Sequence, residues 1–272
     1  MQINHNVRAM VTQQALYLNN SEMSKSLEKL STGLRINRAQ DDAAGLAMSE
    51  HMRGQIRGLG KAKQNAQDGI AALQIAEGGM AEITNMIQRQ RELAIQAATD
   101  TVTSTERSYL NYEFSQLSSE INRIAKTTDY NSINMLEEFG TSVGTLHIGA
   151  NSATADSNNA VGIKYTILIS GNTGNINDRT NAESVIDTLS AQLKSISGLR
   201  ANIGSFINRL EYTVNNIASL EYNTQDAESR IRDTDFGKET TNFTRNQILV
   251  QSATSMLAQA NSLPQSVLGL LG

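Results

Sequence analysis

The chain has no cysteine, no tryptophan and a single proline, at position 264, and only 4% of its 272 residues are aromatic. Without cysteine there are no disulfides, thiolate nucleophiles or cysteine-based metal sites. Few aromatics leave few bulky pieces for a globular core, and one proline leaves helices almost uninterrupted. Basic residues are slightly outnumbered, 23 Lys and Arg against 27 Asp and Glu, which argues against the phosphate-neutralising face of a nucleic-acid binder. No stretch approaches the roughly 18 apolar residues of a membrane span. The N-terminus, "MQINHNVRAMVTQQ", has neither the apolar core nor the cleavage pattern of a signal peptide. Composition alone suggests a cytoplasmic location, an inference that a specialised export route without a cleaved leader would defeat.

What the chain does have is seven-residue periodicity. Leu16, Met23, Leu27, Leu30 and Leu34 keep a 3–4 register, with polar Asn20 on the same stripe. Ala66, Leu73, Met80, Ile87 and Ala94 lie seven apart, with Ala76 and Ile83 filling the second seam position. Leu110, Phe114, Leu117, Ile121 and Ile124 repeat the step, as do Ile196, Leu199, Ile203, Phe206, Leu210, Thr213, Ile217 and Leu220. Phe236, Phe243, Val250 and Leu257 are again seven apart, flanked by Leu249, Met256 and Leu263. So narrow a stripe predicts helices lying side by side as a bundle or coiled coil. Amphipathic helices around one globular core would show a wider one.

The breaks divide the pattern. Glycine-bearing segments near 33–45 and 54–60 are expected to interrupt the N-terminal helices. A helix end is expected near Thr99, and Thr103 followed three residues later by Glu106 fits a capping box for the next helix. Between 140 and 178, "GTLHIGA" and "GIKYTILIS" alternate like strands around the polar cluster "NSATADSNNA". Helix resumes with Thr180 or Asn181 as N-cap. The expected fold is mainly α, an elongated antiparallel helical bundle or coiled coil with a small β-hairpin region inserted in the middle.

Signals for chemistry are weak. His5, His51 and His147 are far apart and form no HxxxH or HExxH spacing. There is no phosphate-binding GxxxxGK[ST] loop and no GxSxG elbow, so no enzyme activity and no cofactor is expected. The densest charge cluster is "GLRINRAQDDAAGLAMSE", residues 33–50, with Arg35, Arg38, Asp41 and Asp42. Adjacent carboxylates on a helix point about 100° apart and cannot converge on one atom. At a helix start they favour the dipole, and one can cap free N–H groups. Arg35 and Arg38 could pair with them within the chain or across an interface, or the four could be a solvated cluster.

Taken together, these motifs resemble bacterial flagellins. The resemblance rests on "INHN", "LEKLSTGLRINRAQDDAAGLAMSE", "MRGQIRGL", "NAQDGIAALQIAEG" and "QRQRELAIQAA" at the front. At the back it rests on "ESRIRDTDF", "NQILVQSATSMLAQAN" and "LPQSVLGLLG". It covers roughly residues 1–136 and 180–272, and the middle, where the family varies, is short here. The resemblance implies a terminal coiled-coil domain, 1–41 plus 229–272, forming a filament core. Leu16, Met23, Leu27, Leu30, Leu34, Phe243, Val250, Leu257 and Leu263 would be its seam residues. It implies a helical rod domain, 42–228, carrying the 140–178 variable region, with Arg35, Arg38, Asp41 and Asp42 fixing the joint between the two.

In function it implies a structural subunit of the extracellular flagellar filament, used for swimming motility and exported unfolded through the flagellar type III apparatus. Implied partners are further copies of the chain, the flagellar cap and hook-junction proteins, and an export chaperone and regulatory protein at the C-terminal segment. A vertebrate Toll-like receptor is a further one, meeting Gln88, Arg89, Leu93 and Glu113; neither nucleic acid nor membrane insertion is implied. A hook–filament junction protein of the same superfamily is the alternative, and an intracellular coiled-coil scaffold would explain the heptads without the motifs.

Overall fold

The computed structural model describes residues 6–136, 144–151, 159–163 and 174–271, without the side chains of 163 and 263–271. Five helices and two small strand pairs follow one another: α1 (Val7–Thr32), α2 (Ala43–Ala97), α3 (Ser104–Thr127), β1 (Asp129–Tyr130), β2 (Ile133–Asn134), β3 (Gly144–His147), β4 (Ala160–Ile163), α4 (Arg179–Arg232) and α5 (Phe236–Leu271). Two compact units emerge. One is formed by 1–54 with 223–272, the other by 55–222.

The unit of 55–222 is built on the seams. On α2, Leu59, Ala62, Ala66, Gly69, Leu73, Ala76, Met80, Ile83, Ile87, Gln90, Ala94 and Ala97 are all buried, an unbroken 3–4 alternation. Leu73, Met80 and Ile83 are 0% exposed. α4 answers with Ala182, Val185, Leu189, Ile196, Ile203, Leu210 and Ile217, and α3 with Phe114, Ile121 and Ala125. Alanine at alternate seam positions lets helices approach closely, and the larger aliphatic residues fill the spaces between. Polar ties fix the register: Gln90 Nε2 donates to Ser118 Oγ at 2.7 Å, and Arg200 meets Glu77 at 2.6 Å.

Helix ends obey local chemistry. The Thr103–Glu106 capping box is formed in both directions. Arg107 Nε donates to the Ala97 carbonyl at 2.9 Å, satisfying an acceptor left free where α2 stops. α4 begins at Arg179, earlier than the expected Thr180 or Asn181 cap, because Ala182 N–H already reaches the Asp178 carbonyl at 2.9 Å. The break expected at 54–60 does not occur. α2 runs through Gly54, Gly58 and Gly60, since continuous seam burial outweighs a cost of about 1 kcal/mol per helical glycine.

Of the expected strands, the one in "GTLHIGA" is β3, which pairs antiparallel with β4, Leu146 opposite Val161. Most of "GIKYTILIS" and of "NSATADSNNA" lies outside the described residues. The hairpin β1–β2 was not expected. It closes through Asn131 and Ser132, both at positive φ (52° and 64°), the two-residue turn geometry that matches strand twist. The β3–β4 hairpin docks on α2 where its side chains vanish: Asn65 donates to the His147 carbonyl at 3.0 Å, and a Cβ at Gly69 would overlap Leu146. Gly69→Val should therefore lift the hairpin off the helix, with an overpacking cost of about 1–3 kcal/mol. Amide exchange at 145–148 should accelerate while α2 and α4 stay protected; unchanged exchange would refute the docking role.

Candidate functional site

In the unit containing both ends of the chain, α1 and α5 run antiparallel. Asn6 Nδ2 donates to the Ala260 carbonyl at 2.8 Å, and at the other end Gly33, at φ 72°, accepts from Thr234 N–H at 2.9 Å. The face α1 turns inward is Ala9, Thr12, Leu16, Asn19, Met23, Ser26 and Leu30. On α5 it includes Phe243, Asn246, Val250, Ala253, Leu257 and Ala260. Leu16, Met23, Leu30, Leu34, Phe243, Val250 and Leu257 are thus half-buried. Leu27 is not on this face: it is 56% exposed, and Asn20 is exposed with it, while Asn19 and Ser26 hold the second seam position. The Leu263 side chain lies outside the described residues.

The 33–45 segment is a hydrogen-bonded clasp. Leu34 bridges antiparallel to Asp233, Arg35 N–H donates to the Arg232 carbonyl at 2.7 Å, and Arg35 Nε donates to the Ile231 carbonyl at 3.1 Å. Between the two arginines Ile36 points inward, 2% exposed. Asp41 Oδ2 accepts from Arg38 N–H at 2.9 Å and Asn37 N–H at 3.1 Å, and Asp42 Oδ1 caps α2 by accepting from Gly45 N–H at 2.9 Å. The arginines do not pair with these carboxylates. Arg38 reaches Glu28 at 3.1 Å, and Arg35 spends its donors on the backbone. Both aspartates therefore do backbone work, and nothing in the cluster converges on a reacting atom.

Two ion pairs that sequence reading missed extend the clasp. Arg232, 9% exposed, holds Glu50 at 2.5 Å, and Arg53 holds Glu228 at 3.1 Å. Their signal was present in "ESRIRDTDF", whose Glu228 and Arg232 sit four apart on one helical face. The Arg38 N–H, helped by that of Asn37 and opposed by desolvation, holds the Asp41 carboxyl below its ordinary value.

The expected receptor patch divides. Gln88, Arg89 and Glu113 are exposed, and Arg89 bridges Glu113 at 2.9 Å and Glu92 at 3.1 Å, which raises the Arg89 pKa. Leu93 is 1% exposed, inside the core. Among the described residues there is no cluster of metal-ligating side chains and no helix long and apolar enough to cross a membrane.

The unusual property of the terminal unit is its apolar balance. Among the described residues it buries two apolar side chains, Ile36 and Ala253, and exposes eleven large ones. On α1 these are Val7, Met10, Val11, Tyr17, Leu18 and Leu27, on α2 Met48, and on α5 Phe236, Ile248, Leu249 and Met256. The helical regions to which these faces belong are matched by two family models, "Bacterial flagellin N-terminal helical region" over residues 3–141 and "Bacterial flagellin C-terminal helical region" over 186–271. The chain belongs to the bacterial flagellin family. It is 46% identical to a flagellin of Halalkalibacterium halodurans and 47% identical to the flagellar filament 33 kDa core protein of Treponema phagedenis, each pair matched over 100% of both chains. Among solved structures it resembles Bacillus cereus flagellin at 30% identity, with a TM-score of 0.50 over 57% of this chain and 88% of that one. A putative flagellar hook-associated protein of Vibrio parahaemolyticus shares the fold at 10% identity, with a TM-score of 0.59 over 71% of this chain and 100% of that one. Flagellins are structural proteins rather than enzymes.

In this flagellin-family chain, Asp42→Ala should cost about 1 kcal/mol at the start of α2, seen as roughly fivefold faster amide exchange at Ala44–Leu46. Unchanged exchange would show that the cap is idle. The Asp41 contribution has a depressed folded pKa, so it is present at neutral pH and lost as pH falls through that folded value. Asp41→Asn should flatten the acid limb of a stability-versus-pH curve followed at this turn. An unaltered limb would assign it elsewhere.

Proposed function

We propose that this chain is a filament subunit whose terminal helices α1 and α5, 7–32 and 236–271, form the filament core by packing against the same helices of neighbouring copies. The unit of 55–222 would be the rod domain. The observation behind this reading is the apolar balance: a unit that, among the described residues, buries two apolar side chains and exposes eleven large ones has its stabilising surface still to cover. At roughly 25 cal/mol per Å2 of apolar area, covering the α1 and α5 faces offsets the ordering of two helices that are marginal alone. In the joint, Arg35 ties the chain leaving α1 to the chain entering α5, while Arg38, Asp41 and Asp42 shape the turn that leads into α2. In this reading the filament serves swimming, the chain is exported unfolded, and cap and hook-junction proteins bound the filament ends. An export chaperone and a regulatory protein cover α5 beforehand.

A second reading concerns the exposed Arg89–Glu113–Glu92 ion-pair cluster, a charged patch tying α2 to α3. It suits recognition of the monomer by a vertebrate Toll-like receptor through Gln88, Arg89 and Glu113. Leu93 would act from beneath, by holding the α2 backbone against the core. Arg89→Ala should reduce the response of receptor-expressing cells while leaving helical content unchanged; an equal response would remove this reading.

Polymerisation is tested by electron microscopy of the purified chain beside a Val11→Lys, Leu249→Lys variant. Both side chains are exposed within the chain, at 62% and 42%, so the variant should keep its helical circular dichroism and remain monomeric where the unaltered chain forms filaments. Filaments from both proteins would overturn the assignment of these faces.

A further inference from the structure

The methionines divide between the two units in a way the filament reading does not require. Met80 and Met135, in the unit of 55–222, are 0% and 1% exposed, and Met86 is half-buried. The three exposed methionines among the described residues all fall in the terminal unit: Met10 at 64%, Met48 at 54% and Met256 at 63%. Met256 lines a groove of about 400 Å3 between α1 and α5, together with Val7, Arg8, Val11, Thr12 and Ala260. Met10 lies on the outward side of α1 between exposed Val7 and Val11. Methionine suits such a surface because its flexible thioether packs against irregular apolar neighbours. The same exposure leaves its sulfur open to oxidants.

We propose that peroxide-class oxidants block polymerisation of this chain by converting Met10 and Met256, with Met48, to sulfoxides before assembly covers them. The inference rests on the filament reading, because it needs these faces to be buried between copies. In the reaction a thioether lone pair attacks one oxygen of hydrogen peroxide. The S–O bond forms as the O–O bond breaks, sulfur is oxidised by two electrons, and the other oxygen leaves as water once protonated. The product is a polar, chiral S=O group where an apolar chain stood. Burying that acceptor against Val7 and Val11 of a packed face forfeits its hydration, so the modified face no longer favours a dry contact. Once copies cover one another the sulfurs are out of reach, and the finished filament resists the reagent that stops its growth. In the unit of 55–222, Met80 and Met135 are inside and Met86 is half-covered, so oxidation falls first on the terminal unit.

The test uses the full chain as monomer, treated with hydrogen peroxide under native conditions, with peptide mass mapping to locate the added oxygens and light scattering to follow seeded polymerisation. The proposal expects oxygens at Met10, Met48 and Met256 but not at Met80 or Met135, and polymerisation slowed by at least about tenfold. Methionine sulfoxide reductase should restore the rate. A Met10→Leu, Met48→Leu, Met256→Leu variant, close in volume and not oxidisable, should polymerise equally before and after peroxide. Oxidised chain that polymerises at the untreated rate would overturn the proposal, as would inhibition of the leucine variant or inhibition that the reductase does not reverse. Untreated chain that never polymerises would overturn the filament reading, and this inference with it, and is told apart by needing no oxidant.

Discussion

Everything in this molecule depends on helices meeting along a seam only one or two side chains wide. Such a contact has a fixed, small capacity for burial, so what occupies its alternate positions decides whether a helix pair stands alone. Along α2 those positions carry Leu73, Ala76, Met80, Ile83 and Ile87, each at most 3% exposed, and α3 and α4 close over them. Along α1 the second position carries Thr12, Asn19 and Ser26, which gain little from leaving water. One repeat thus yields a dry, self-sufficient unit and a second unit that is short of burial.

In the proposed filament, that shortage is what gives the terminal unit its role. A hydrogen-bonded clasp at 33–35 and 231–234 and the Glu50–Arg232 and Arg53–Glu228 pairs hold its strands in place. Hydrogen bonds, and ion pairs with one partner open to water as in these two, contribute modestly to net stability but strongly to geometry. The clasp therefore sets where α1 ends and where α5 starts. The α1 and α5 faces that would be covered by neighbours carry the exposed Met10 and Met256, which in the proposed reading ties the chemistry of the surface to its assembly.

Much of this is visible in the sequence. The buried seam positions of α2 and α4, the Thr103–Glu106 capping box and the break at 33–45 all follow from residue spacing, because each reflects a local or periodic preference that nothing opposes. That one of the two aspartates caps the helix start reads correctly for the same reason, and it is Asp42. The α1 register did not read so well. That helix carries two apolar stripes, and Leu27 belongs to the outward one, so heptad spacing alone permits two answers until α5 selects. Gly54, Gly58 and Gly60 look like a break but are overruled by tertiary packing. The β1–β2 turn, with Asn131 and Ser132 at positive φ, lacks the Gly that marks most such turns. Which carbonyls Arg35 would find depended on residues 196 positions away.

The central claim is that the terminal helices are stabilised from outside the chain. Hydrogen–deuterium exchange of the same protein as monomer and as polymer tests it most directly. The account predicts that amides of α2 and α4 within 60–97 and 182–220 are strongly protected in both states. Those of α1 and of α5 should exchange quickly in the monomer and slow by orders of magnitude on polymerisation. Equal protection of α1 and α5 in monomer and polymer would contradict it.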